Sequence, residues 1–142
     1  MPSASHSVTI NRPASEVFAF VADGENEPRW RPGVLDIQRV SGQGVGAVYR
    51  QGVRGPGGRR IAADFEVTAY EPDRRTAFRT IAGPVRPTGE FRFQESGGAT
   101  TLTMSLQAEL GGVKRLLISS MVKKTMDAEV AAIDNVKRLL EP

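Results

Sequence analysis

The apolar positions of the chain change period twice. Near the N-terminus Ser7-Val8-Thr9-Ile10 alternates and runs into Asn11-Arg12-Pro13, which predicts a strand, a turn and then a helix. Pro13 suits a first helical turn and Glu16 complements the helix dipole there. Val17, Phe18 and Val21 share one side of this helix, which is expected to stop near Asp23-Gly24 with the glycine as its C-terminal cap. Pro28 and Pro32 bracket Trp30, so Glu25–Gly33 holds at most a short helical turn.

From Val34 to Leu110 the period becomes two. In Ile61–Tyr70, the residues Ile61, Ala63, Phe65, Val67 and Ala69 fall on one face and Asp64, Glu66 and Thr68 on the other. Thr101–Leu110 alternates as cleanly, and Gly89, Phe91 and Phe93 interleave with Glu90, Arg92 and Gln94. Weaker strands are predicted over Leu35–Val40, Ala47–Val53 and Arg75–Ala82. The connections carry Gly42, Gly44 and Gly46, then Gly55-Pro56-Gly57-Gly58, Glu71-Pro72-Asp73, Gly83-Pro84 and Gly97-Gly98, all suited to hairpins. Short connections between successive strands imply an antiparallel meander with one buried face. The period then returns to helical. Ile118, Val122, Met126, Val130, Ile133, Val136 and Leu140 form a continuous stripe, which predicts one helix over Val113–Leu140 packed on that face. The pattern predicts an α+β fold in one domain over residues 1–142.

Composition narrows the chemistry. The 142 residues contain no Cys and a single His, His6, which excludes a disulfide scaffold and thiolate chemistry and argues against a His-rich zinc site or a serine triad. No cluster has metal-ligand spacing, and the glycine clusters do not lead from a strand into a helix as nucleotide cradles require, so no metal and no cofactor are expected. The net charge is +3, but 19 basic and 16 acidic residues are interspersed, which reads as a solvated surface rather than a nucleic-acid face. No 18-residue apolar run follows Met1 or occurs later, so a cytoplasmic protein without integral membrane association is expected.

The run Val8-Thr9-Ile10-Asn11-Arg12-Pro13-Ala14-Ser15-Glu16-Val17-Phe18 resembles the opening of the START-like (SRPBCC) superfamily. Val21-Ala22-Asp23 and Trp30-Arg31-Pro32-Gly33-Val34 resemble that group's aspartate and its W-x-P-x-V lead into the second strand. The resemblance is nearest to the small bacterial polyketide cyclase/dehydrase and lipid-transport proteins. It implies a helix-grip fold: a curved sheet of about seven antiparallel strands around the C-terminal helix, with a cavity between them for a small hydrophobic molecule such as a lipid, polyketide, isoprenoid or aromatic. A core simply filled by its side chains is the alternative.

Within that frame the strands are expected to contribute Phe65, Phe91, Phe93 and Met104 by alternation, and the helix Met121 or Val122. Trp30 is either an entrance wall or a buried plug. Tyr49 and Arg79 are the expected polar groups that orient a ligand, with Arg79 reaching inward or else its strand exposing Ala77 and Ile81. His6, at a strand start, is not expected to act as a base. Asp64, Glu90 and Arg92 alternate away from the apolar face, toward solvent. The motifs specify fold better than activity. A non-catalytic binder or carrier, as monomer or homodimer, is expected ahead of a cyclase or dehydrase working by positioning and proton transfer, and ahead of an interaction module.

Overall fold

The computed structural model describes residues 3–83, 85–108 and 114–141 of the chain. Eight strands form one antiparallel sheet: β1 (Ser3–Ile10), β2 (Val34–Ser41), β3 (Val48–Arg54), β4 (Arg60–Ala62), β5 (Phe65–Glu71), β6 (Arg75–Thr80), β7 (Thr88–Ser96) and β8 (Ala99–Gln107). Their order is β1-β8-β7-β6-β5-β3-β2, with β4 paired to β3 beside β5. The helices are α1 (Ala14–Ala22), α2 (Glu27–Trp30), α3 (Lys114–Ala131) and α4 (Asp134–Leu140). This is the expected α+β helix-grip arrangement, with one strand more than the seven predicted.

The first strand lies beside the last, and their register shows why alternation is so regular there. Ala4 opposes Leu106 and Val8 opposes Leu102 on the inner face. On the outer face Ser7 opposes Thr103, their hydroxyls 2.7 Å apart. Helix α3 packs on β1 and β8, α4 on β1, and α1 on β7 and β8.

Two elements differ from the sequence pattern. The stretch Ile61–Tyr70 is two strands, not one. At the break the amide of Gln51 donates to the Ala63 carbonyl (2.9 Å) and Asp64 accepts from the Gln51 backbone N–H (3.1 Å), so side chains replace the regular ladder. A second irregularity follows at Thr68: Val67 opposes Phe78 but Ala69 opposes Ala77, which puts Ala69 on the face opposite to Val67. The C-terminal stripe is also two helices. Ala132, Ile133, Asn135 and Val136 donate three residues back, to Glu129, Val130, Ala132 and Ile133, tightening the chain to a 3₁₀ turn between α3 and α4. The stripe survives the turn: Met126, Val130, Ile133 and Val136 are all buried and Val122 is half-buried. Strand β8 ends at Gln107; the predicted end at Leu110, the helix start at Val113, the side chain of Ile118 and the turn residue Pro84 lie outside the described residues.

Buried apolar residues form two clusters. The first joins β1, β7 and β8 to the helices through Ile10, Val17, Leu102, Ile133 and Val136. The second, Ala47, Tyr49, Phe65 and Val67 with Ile37 and Phe78 at its margin, lies on β3, β5 and β6. Among the described residues no helix is long and apolar enough to cross a membrane.

Candidate ligand-binding site

Sheet register sets four aromatic rings in a row, and α2 adds a fifth, Trp30. Tyr49 opposes Phe65 across β3 and β5, and their rings stack with centroids 4.9 Å apart at 15°. Phe65 and Phe78 follow at 5.5 Å, Phe78 and Phe91 at 6.3 Å, and Trp30 stands edge-on to Phe91 at 5.9 Å. Such offset and edge-on contacts add to simple burial. Beside this row is a cavity of about 20 Å³, lined on one side by Tyr49, Phe65, Val67, Phe78 and Phe91 and on the other by Val21, Ala22, Gly24 and Glu27. That is room for about one water. Each of these lining residues comes from the sheet or from the α1–α2 segment. This cavity lies toward β3, β5 and β6; residues 109–113 and the side chains of 114–120, which would border the expected space under the C-terminal helix, lie outside the described residues.

Gly24 serves a different end from the one its sequence suggests. Helix α1 ends at Ala22, and Asp23, extended at φ −83° and ψ 100°, accepts a hydrogen bond from the Glu25 N–H (3.0 Å) to open a 3₁₀ turn over Gly24–Asn26. Gly24 is no left-handed cap. It is the point of closest approach, because a Cβ there would lie 2.7 Å from Cε2 of Tyr49. Its N–H donates to the Tyr49 hydroxyl at 3.4 Å. Burial raises the pKa of the Tyr49 phenol, although that N–H works in the opposite direction, so the hydroxyl keeps its proton at neutral pH.

Next to Tyr49 is a buried polar cluster. Arg31 donates through Nε to Glu129 (2.8 Å) and through one terminal nitrogen to Glu27 (2.9 Å) and Gln51 (3.0 Å). Glu27 is only 5% exposed and Gln51 only 4%. Burial pushes the Glu27 carboxyl up, the Arg31 cation pulls it down, and the charge of Glu129 pushes it up again; the net direction is upward. Burial alone would lower the pKa of Arg31, but the charges of Glu27 and Glu129 and their hydrogen bonds raise it, so the guanidinium stays charged. Ion pairs so placed cost desolvation that their attraction barely repays, so they are a poor stabiliser and a good specifier of geometry. Here they fix α2 between β3 and α3. Asn135 adds a tie, its amide donating to the Trp30 carbonyl at 2.9 Å. The Trp30 indole N–H is buried without a partner among the described residues.

Of the nine expected ligand-binding residues, the structure gathers Tyr49, Phe65 and Phe91 at the cavity, with Trp30 buried against Phe91. Phe93, Met104 and Val122 pack in or against the first hydrophobic cluster, away from it. Arg79 does not reach inward: it pairs with Glu66 at 2.7 Å on the outer face, opposite Thr88 and Glu66 in the ladder, and Ala77 shares that face. Met121 is 58% exposed because the inward turn of α3 falls one residue later. His6 is tied to Asp134 at 2.9 Å on the surface. Glu90 pairs with Arg75 and Arg92 on the outer face as alternation predicts. Glu27, Arg31, Gln51 and Glu129 were missed. The i,i+4 spacing of Glu27 and Arg31, and the alternation that puts Gln51 on the face of Tyr49, were the available signals.

The lining brings aromatic rings and two polar groups, Glu27 and Tyr49, to one cavity. Among the described residues, no three His, Cys, Asp or Glu side chains converge as metal ligands do.

A family model described as polyketide cyclase / dehydrase and lipid transport matches residues 1–141. No curated protein is similar enough to match. Among solved structures, TTHA0849 from Thermus thermophilus is 20% identical with a TM-score of 0.83, over 98% of this chain and 97% of that one. A START superfamily protein from Mycobacterium smegmatis is 16% identical with a TM-score of 0.75, over 97% and 98%. The Zhui aromatase/cyclase from Streptomyces sp. R1128 is 19% identical with a TM-score of 0.66, over 96% and 94%. Identities this low carry the fold and no further.

Proposed function

The chain belongs to the polyketide cyclase / dehydrase and lipid transport family, and from that premise we propose that it binds a small hydrophobic molecule at the aromatic row between the sheet and the α1–α2 segment. The observation that carries this reading is the cavity bounded by Tyr49, Phe65, Phe78 and Phe91 and capped by a segment held through polar contacts. A concave apolar site with few convergent polar groups is the usual form of a ligand pocket. At about 20 Å³ the cavity is too small for such a molecule as it stands, so the ligand enters as the α2 segment and the rings move apart. The partner is a small molecule rather than nucleic acid: acids are interspersed among the cations of the outer face, where Asp36 pairs with Arg60, Glu71 and Glu90 with Arg75, and Glu66 with Arg79. A cytoplasmic monomer or homodimer is the setting we propose.

One observation favours a second reading, a cyclase or dehydrase that moves a proton: a buried carboxyl with an upward-shifted pKa, Glu27, lines the cavity beside a tyrosine hydroxyl. Titration with the neutral dye N-phenyl-1-naphthylamine tests both readings at their common root. One saturable equivalent is expected in the wild type and none in Val67→Phe, which fills the cavity. Absence of saturable binding in the wild type overturns them together. A bound molecule recovered from the native host unchanged after incubation favours carriage, and one recovered with altered mass favours chemistry.

A further inference from the structure

We propose that Glu27 and Tyr49 form a recognition pair for a hydroxyl group on a flat aromatic ligand, so that the site selects phenol-type molecules over hydrocarbons and over carboxylic acids of the same shape. The inference rests on the binding reading above and names its ligand class.

The two groups face one cavity with complementary needs. Glu27 Oε2 is held by Arg31, whereas its other oxygen has no hydrogen bond among the described residues although the side chain is buried. The Tyr49 oxygen accepts from Gly24, and its own proton meets no acceptor among the described residues. A hydroxyl both donates and accepts, so a phenol placed between them donates to Glu27 and accepts from Tyr49. If Glu27 carries a proton the roles exchange and the hydroxyl still fits. A hydrocarbon that displaces solvent from the cavity offers neither the free Glu27 oxygen nor the Tyr49 proton a partner, which binding sites penalise.

The charge around the cavity excludes the other common polar ligand. Glu27 and Glu129 share one guanidinium, and the contacts of Arg31 through Nε and one terminal nitrogen are taken by Glu129, Glu27 and Gln51. A ligand carboxylate meets two acids there for one base. The remaining walls specify flatness: Tyr49 and Phe65 lie near-parallel at 15°, a face against which a planar ring slides.

Calorimetric titration with 2-naphthol, 2-methylnaphthalene and 2-naphthoate tests this on one scaffold. In the wild type 2-naphthol is expected to bind roughly tenfold tighter than 2-methylnaphthalene, with 2-naphthoate the weakest, as one hydrogen-bonded hydroxyl is worth about that factor. In Tyr49→Phe and in Glu27→Met, which remove the polar atoms themselves, the hydroxyl preference is expected to shrink to threefold or less while 2-methylnaphthalene binds at least as tightly, which shows that the cavity is intact. Equal affinities in the wild type, or a preference that survives both substitutions, overturn the inference and leave the binding reading standing. If none of the three binds, the binding reading falls and takes this inference with it.

Discussion

The two hydrophobic clusters grow from the same sheet by the same alternation, yet they differ in what faces them. Over β1, β7 and β8 stand three helices, and Ile10, Val17, Leu102, Ile133 and Val136 are shut off from solvent altogether. Over β3, β5 and β6 the described cover is the end of α1 and the short Gly24–Trp30 segment, fixed by a glycine against a tyrosine ring and by Arg31 with its three partners. The first cluster is apolar interlocking, which tolerates no change of volume. The second is a smaller group, Ala47, Tyr49, Phe65 and Val67, beside a small void and under a segment tied by hydrogen bonds that can be exchanged for others. On the binding function proposed above, the difference is a division of labour: a rigid half carries stability, and a half held by polar ties opens for the ligand.

The comparison is broken most directly by charging the rigid half. Ile133 is fully buried at the 3₁₀ turn between α3 and α4. Ile133→Asp places an unpaired carboxylate there and is expected to cost about 4 kcal/mol or more, enough to unfold a domain of ordinary stability. Thermal melting by circular dichroism reads this. A near-native melting temperature would mean that the first cluster is not the stabilising half.

How much of this was legible in the sequence reflects the same division. The rigid half was: alternation in Thr101–Gln107 and the stripe from Val122 to Val136 gave the right faces, because burial against helices leaves a periodic trace. The site half was legible only in its rings. Tyr49, Phe65 and Phe91 come out of alternation, but the Thr68 bulge reverses the face of the residues after it, and the pairing of Arg79 with Glu66 depends on which face that strand presents. Glu27, Arg31, Gln51 and Glu129 come from three elements, α2, β3 and α3, and converge only in the folded chain.

A change of volume sharpens the comparison by a smaller amount. Ala108 lies in the first cluster at 2% exposure. Ala108→Phe is therefore expected to overpack, costing about 1–3 kcal/mol. Val67→Phe, in the second cluster, enlarges a residue that borders a void and is expected to cost less. Urea denaturation of the two variants side by side decides: equal costs, or the reverse order, would show both halves to be equally full.

The smallest expected effect is a pH dependence confined to the site half. The pKa of Glu27 lies above its unfolded value, chiefly through burial and with the charge of Glu129 adding to it against the pull of Arg31. The folded protein therefore holds a proton that the unfolded chain releases. The contribution of this group to stability is full below the ordinary carboxylate range and is lost as pH rises through the folded pKa. Other acids run the opposite way: the carboxyl of Glu90, despite burial that raises it, is brought below its ordinary value by Arg75 and Arg92, so it stabilises above that range and fails on acidification. The two signs overlap in the wild type, so the quantity to measure is the difference in unfolding free energy between wild type and Glu27→Gln from pH 4 to pH 8. That difference is expected to move against the wild type as pH rises, with a slope no steeper than one proton allows, about 1.4 kcal/mol per pH unit. A flat difference would mean that Glu27 is ionised throughout, held by Arg31 as tightly as a surface carboxylate is by water. A slope of the opposite sign would make the Arg31 cluster a stabiliser, and the two halves of the molecule would then differ in composition but not in role.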